Sequence, residues 1–234
     1  MRSSIEWSRC CRLKRTARAL FASFAGASLI ASVFVAASSA EPAAAQNPLA
    51  KTALQELTVK GRASKTGYAR EKFSDGWGDI GSCDLRNYIL KRDLSGEVMR
   101  SGYNCIVETG ILRDPYTAKT INFVRGQSTS IKVQIDHVVA VSDAWQKGAQ
   151  KLTFARRYAF YNDPLNLLAV DGPTNSQKGD SDAASWLPPN KSYRCAYVAR
   201  QIAVKRKYAL WVTSAEKTAM SSVLSKCPTQ RLPG

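Results

Sequence analysis

The chain has 234 residues, 44% of them hydrophobic, enough for one or two domains with a real core. Its 34 Lys and Arg against 18 Asp and Glu give a net charge of +16, with a single histidine, His137. One histidine excludes a multi-histidine zinc site within one subunit. The basic balance points to a polyanion or an anionic surface as partner, the bland alternative being a charged face kept for solubility.

The chain opens with Arg2, Arg9, Arg12, Lys14, Arg15 and Arg18, then an uncharged apolar or small run from Leu20 to Ala37. Ser38-Ser39-Ala40 and Ala43-Ala44-Ala45 both put small residues where a signal peptidase cuts. This order predicts a secretory signal peptide over residues 1–45, cut near 40 or 45. The rival is a retained signal anchor, because the run approaches spanning length. The Ala and Ser content and the cleavage-like ends favour removal, and no Arg-Arg pair supports the twin-arginine route. The leader carries a net +4 of the +16, leaving +12 for residues 46–234. That remainder is expected to be a single secreted domain, with no stable membrane association after cleavage.

Cys83, Cys105, Cys195 and Cys227 remain after the leader, an even number that reads as two disulfides in an exported protein. Three pairings exist; the simplest joins Cys83 to Cys105 and Cys195 to Cys227. A cysteine zinc site is the weaker reading, since no pair has CxxC spacing.

Leu49, Ala53, Leu54 and Leu57 predict a helix within Pro48 to Lys60. Gly61 to Gly81 reads as loop, with Trp77 as an anchor. Asp84 to Leu94 predicts a helix with Asp84 as N-cap. Tyr103 to Leu112 is β-rich and broken at Thr109-Gly110, Asp114-Pro115-Tyr116 is a turn, and Thr120 to Val124 is a short strand. Ile131, Val133 and Ile135 alternate with polar residues as a half-buried strand that Val138 and Val139 continue. Ser142 to Ala159 is mainly helical with a break at Gly148, and Asn162-Asp163-Pro164 ends it. Asn166 to Val170 is a second strand, Asp171-Gly172 a turn, and Pro173 suits the first position of a helix. Two more helices follow, over Cys195 to Leu210 and over Ser214 to Leu224, the second with a Thr213/Glu216 capping box.

Three stretches in that strand, strand, helix order carry chemistry together: Asp136-His137, Asn166-Leu167-Leu168, and Asn175 to Asp180. Phosphodiester hydrolysis needs a base for the attacking water and positive charge for the phosphate. A neutral histidine suits the first role near pH 7, and a hard divalent cation with oxygen ligands suits the second. Asp136 and Asn175 offer such ligands, so Mg²⁺ or Mn²⁺ is expected. Arg156-Arg157 and Lys205-Arg206-Lys207 are candidates for phosphate contact, or else solvated helical faces. Trp145 and Trp186 flank the motifs and offer stacking surfaces for bases, although Trp186 beside Leu187-Pro188-Pro189 fits core packing better.

Asp136-His137, Asn166, Asn175 and Lys178 resemble the motif set of the HNH endonuclease superfamily, in an His-Asn-Asn form. Asp114 to Thr117, Ile135 to Ala140, Asn162 to Val170, and Lys178-Gly179-Asp180 followed by Trp186 to Pro189 resemble secreted bacterial HNH proteins. Those are related to the C-terminal nuclease domain of GmrSD-type restriction enzymes, and the similarity covers most of residues 50–230. Ala118 departs from it, standing where glycine is expected.

The resemblance implies an α+β fold: a ββα-metal (HNH) core at about residues 131–182, flanking helices and a small N-terminal β element. It implies a metal-dependent endonuclease, cutting DNA to leave 5′-phosphate ends; little sequence specificity is expected, since no appended recognition module is visible in the sequence. His137 would be the general base, and Asp136 and Asn175 would hold the cation. Asn166 belongs to the catalytic set, bracing the loop between motifs more than taking part in chemistry. Lys178 would neutralise a phosphate or tie down the helix start. Two other readings stand beside it: a basic extracellular or envelope-binding protein with a degenerate nuclease core, and an RNA-directed, toxin-like nuclease.

Overall fold

A computed structural model describes residues 46–233. The expected signal peptide lies outside the described residues. In chain order the elements are α1 (Ala50–Glu56), β1 (Asp79–Ile80), β2 (Cys83–Asp84), α2 (Leu85–Asp93), β3 (Leu94–Met99), β4 (Val107–Arg113) and β5 (Thr120–Val124). Then come β6 (Val133–His137), α3 (Val141–Gln146), α4 (Phe154–Tyr161), β7 (Leu167–Asp171), α5 (Gly172–Lys178), α6 (Arg194–Lys207) and α7 (Ser214–Leu224). The fold is α+β, with three small antiparallel sheets: β1-β2, β3-β4-β5 and β6-β7. None of the described helices is long and apolar enough to cross a membrane.

The β6-β7 pair is central because both of its faces are covered. Val133, Ile135, Leu167 and Ala169 pack with Leu85, Ile89 and Leu90 of α2 and with Val107, Leu112 and Phe123 of the three-stranded sheet. Leu168 and Val170 face the other way, into a cluster with α1, α6 and α7. A strand buried on two faces reads as a near-continuous apolar run, which is why Leu167 to Val170 shows no polar alternation.

Helix starts follow their side chains. Asp84 accepts from the Asn87 N–H at 2.9 Å, Asp171 from the Thr174 N–H at 2.9 Å, and Thr213 and Glu216 form the reciprocal capping box. At the corner from β7 into α5, a Cβ on Gly172 would lie 2.1 Å from the Ile131 carbonyl oxygen, so only glycine fits.

Four details differ from the sequence reading. Ile131 lies before the strand, in a 3₁₀ turn over Ser130–Lys132, and is exposed. Val138 and Val139 have left the strand and hydrogen-bond to Asn166. β4 runs unbroken through Thr109-Gly110, because Gly110 lets the Leu94 side chain close on the strand. β3 had no sequence signal; Ser95-Gly96-Glu97 are poor strand formers, and the pairing there is irregular. Ala118, where glycine was expected, has φ of 64°, the left-handed region that glycine enters more freely.

Both disulfides take the simplest pairing, Cys83–Cys105 and Cys195–Cys227, with sequence separations of 22 and 32. Each is worth about 3 kcal/mol through the unfolded chain.

A largely buried ionic network joins the strap, residues 57–78 between α1 and β1, to α3, α6 and α7. Lys147 Nζ meets Asp143 at 2.8 Å, Asp182 at 2.6 Å and Glu216 at 2.7 Å. Lys205 meets Asp143 at 3.3 Å and Glu216 at 3.0 Å, and Arg62 meets Asp143 at 3.2 Å and Asp182 at 2.8 Å. Cations Arg62, Lys147 and Lys205 thus balance anions Asp143, Asp182 and Glu216. Removing one partner leaves a buried charge uncompensated, which costs about 3–5 kcal/mol. Lys147→Met is therefore expected to lose that much stability in urea unfolding; a loss under about 1 kcal/mol would show that the network contributes little.

Burial alone would raise the Asp182 carboxyl, but the Lys147 hydrogen bond and charge, with Arg62, hold it at about 2, below its usual 3.8. The folded state thus keeps this carboxylate charged where the unfolded chain protonates it. Its contribution is present above pH 3.8 and is lost as pH falls through about 2. Asp182→Asn should flatten the loss of stability with acid in that window, measured as the melting temperature against pH. An unchanged slope would contradict the assignment.

Candidate active site

The last two residues of β6 point to opposite sides of the strand, as alternation requires. Asp136 turns toward the turn at Tyr116 and toward α5. Lys178, at the end of α5, donates to Asp136 Oδ1 at 2.9 Å and to the His137 carbonyl at 2.9 Å. Tyr116, fully buried, donates its hydroxyl to Asp136 Oδ2 at 2.5 Å. Burial raises the Asp136 carboxyl, and Lys178 and Tyr116 work against that rise.

His137 turns the other way, into an aromatic box. Trp77 stacks on it at 12° with centroids 5.6 Å apart, and the Tyr161 ring lies at 4.4 Å. Its Nε2 lies 2.8 Å from the Tyr161 backbone carbonyl. A carbonyl only accepts, so Nε2 carries the proton and Nδ1 keeps its lone pair. Burial, then the charge of Arg70, lower the imidazole to about 3; the Tyr161 hydrogen bond opposes this and Lys178 adds to it. The ring is therefore neutral at ordinary pH, with the Nδ1 lone pair unprotonated.

Asp136, His137 and Asn175 line one cleft of about 270 Å³, together with Tyr68, Arg70 and Asp180. Asn175 donates its Nδ2 to Gln134 Oε1 at 2.9 Å, which leaves its Oδ1 without a donor among the described residues. Asp180 accepts from Lys65 at 3.0 Å and Ser142 at 2.9 Å, and these contacts lower its carboxyl. A larger hollow of about 550 Å³ between α6 and α7 holds none of the predicted chemistry.

Asn166 is fully buried and does not line the cleft. Its Oδ1 accepts from the Val139 N–H at 2.8 Å, its Nδ2 donates to the Val139 carbonyl at 3.3 Å, and its own carbonyl accepts from Val138 at 2.8 Å. It holds the chain that leaves His137. Lys178 is 1% exposed, and its ammonium bonds Asp136 and the His137 carbonyl.

Arg156 and Arg157 do not line the cleft. Arg156 donates to the Lys207 carbonyl at 2.9 Å and stacks over Tyr208; Arg157 donates to the carbonyls of Lys72, at 2.7 Å, and Leu152. Lys205 is buried, Arg206 pairs with Glu56 at 2.9 Å and Lys207 with Asp163 at 2.7 Å. Trp145 is buried beside Tyr68 and Phe73, and Trp186 is partly buried, with T-shaped contacts to Tyr116 and Tyr197. Sequence reading missed Tyr68, Arg70 and Tyr116 as site residues. Tyr116 lay in a quoted motif; Tyr68 and Arg70 lay in a loop with no periodic signal.

Residues 84–223 match the family model described as GmrSD restriction endonucleases, C-terminal domain. The chain belongs to this family. Membership suggests a nuclease-type function, for which a nucleic acid is the substrate. An uncharacterized secreted protein of Arthroderma benhamiae is 38% identical over 180 residues, covering 76% of this chain and 84% of that relative. No solved structure matches the chain.

The geometry around Asn166 gives a direct expectation. Asn166→Ala strands the Val139 N–H and carbonyl in a dry interior, at about 1–3 kcal/mol for each buried group left unpaired. Denaturant unfolding of the variant should show a loss of about 2–6 kcal/mol for the two groups. A variant as stable as the parent would contradict the bracing role.

Proposed function

We propose that this chain is a secreted HNH-type endonuclease that hydrolyses phosphodiester bonds in DNA with the help of a divalent cation. The observation that carries the reading is the single cleft holding Asp136, a neutral His137 with its Nε2–H fixed on a carbonyl, and Asn175 with an open amide oxygen. The antiparallel β6-β7 pair followed by α5 supports the ββα-metal reading of this core. Family membership supports nuclease chemistry. The basic leader with its apolar run, the two disulfides and the secreted relative support export.

The donor set fits a hard cation. Asp136 supplies one carboxylate and Asn175 one amide oxygen. One carboxylate with water and phosphate oxygens is the usual environment of Mg²⁺, and Mn²⁺ is similar. Asp136 and Asn175 would hold the ion, which supplies positive charge for the phosphate and the departing 3′ oxygen.

The chain's own residues do the rest. The Tyr161 carbonyl fixes the His137 tautomer, and Trp77 and Tyr161 fix the plane of its ring. Nδ1 takes the proton from the attacking water and thereby gains positive charge beside a polyanion. Lys178 and Tyr116 hold the Asp136 carboxylate in place. Asn166 keeps Val138 and Val139 from drifting, and so keeps β6 ending at the cleft. Nothing in this set reads base edges, in keeping with recognition through the backbone.

Purified residues 46–234 should nick and then linearise supercoiled plasmid with Mg²⁺ or Mn²⁺, and should stop in EDTA. The cut ends should ligate without kinase treatment, because the phosphate stays on the 5′ side. Full cleavage in EDTA would remove the cation from the account. Binding of plasmid without cleavage under any divalent ion would favour a binding protein. Parallel digestion of RNA and of single- and double-stranded DNA ranks the substrates.

A further inference from the structure

The charges lining the cleft are unevenly committed. Asp136 is countered by Lys178 and Tyr116, and Asp180 by Lys65 and Ser142. Arg70 is different. Its Nε donates to the Tyr161 hydroxyl at 3.0 Å, and its guanidinium carbon sits 5.0 Å from the centre of that ring. Its two terminal nitrogens donate to nothing among the described residues, and the side chain lines the cleft beside Asp136 and His137. Its charge is felt at both, opposing protonation of His137 and favouring the ionised Asp136. With two carboxylates each facing a lysine, Arg70 leaves the cleft with one positive charge in excess.

Arg70 is also held in place. It opens a 3₁₀ turn, Arg70–Lys72, in a strap pinned on both sides. Upstream, Arg62 bonds Asp143 and Asp182; downstream, the Gly78 N–H bonds Asn162 Oδ1 at 2.8 Å. Tyr161 serves two groups at once, its carbonyl fixing His137 and its hydroxyl fixing Arg70. The strap precedes residues 84–223, so Arg70 lies outside the segment that matches the family model.

We propose that Arg70 is a catalytic residue that seats the scissile phosphate on its free guanidinium edge, and that the cleft therefore binds phosphate without a cation present. The word scissile rests on the nuclease reading; the anion seat does not. A guanidinium edge presents two parallel N–H groups spaced for two phosphate oxygens, which a lysine cannot reproduce. Seated there, the phosphate lies within the same small cleft as His137 and Asp136, and it brings the negative oxygens that a cation at the already countered Asp136 lacks.

The test titrates residues 46–234 with inorganic phosphate in EDTA, following the single imidazole by NMR, and measures plasmid cleavage separately. The parent should show a saturable shift of the His137 ring signals. Arg70→Gln should weaken phosphate binding at least tenfold and lower cleavage by about 100-fold, the loss typical of one charge-stabilising donor. Arg70→Lys, which keeps the charge and guards against misfolding, should restore part of the phosphate binding and little of the rate. Arg113→Ala, an equal loss of charge on the three-stranded sheet, should leave binding as in the parent. Phosphate binding by Arg70→Gln as tight as the parent's would overturn the proposal, even if plasmid is cleaved. A parent that binds phosphate through Arg70 yet cuts no nucleic acid would sustain the seat and sink the nuclease reading.

Discussion

The ammonium of Lys178 lies buried between the Asp136 carboxylate and the His137 carbonyl, and the arrangement of the site depends on that contact. A lysine loses its hydration when buried, and only a charged, hydrogen-bonding partner offsets the loss. Asp136 is that partner, so α5 closes against the end of β6 in one register. The local chemistry is consistent with it at each end of the helix. Asp171 caps the start, Gly172 permits the approach to Ile131, and Gly179 at φ of 55° turns the chain away directly after Lys178. Tyr116 then completes the carboxylate from the opposite side, which ties the turn at residues 114–117 to the same atom group.

The protein keeps its inventory of buried charge paired while its overall balance is strongly basic. The network around Lys147 pairs three cations with three anions and fixes the strap, α3, α6 and α7 relative to one another. That fixing matters to the cleft, because the strap carries Arg70 and Trp77, and α3 carries Ser142. Stability and site geometry are therefore coupled through the same residues: Asp182 of the network is two positions from Asp180 of the cleft.

Local features of the fold were legible in the sequence for local reasons. Asp84, Thr213 with Glu216, and Pro173 mark helix starts because capping is decided within four residues. The Asp136-His137 and Asn175 stretches were legible together because the end of β6 and α5 meet at one cleft, while Asn166 precedes the partner strand and holds the chain after His137. What escaped has a non-local cause. β3 pairs despite Gly96, through its partner strand and not its own propensity. Lys178 and Lys205 look like any surface lysine until their carboxylates arrive from distant segments. Arg156 and Arg157 read equally as phosphate contacts or as a solvated helical face; in the fold they lie outside the cleft, Arg156 on the Lys207 carbonyl and Arg157 on those of Lys72 and Leu152. Arg70 had no signal at all, since a loop residue becomes a site residue only when the strap is laid across the cleft.

The proposed base of the hydrolysis is one neutral imidazole, held by a carbonyl and two aromatic rings. Single-turnover cleavage of plasmid with excess His137→Ala protein tests it most directly, with far-UV circular dichroism and DNA binding measured on the same sample. The account predicts loss of cleavage with fold and DNA binding retained. Cleavage at the parent's rate by that variant would contradict it.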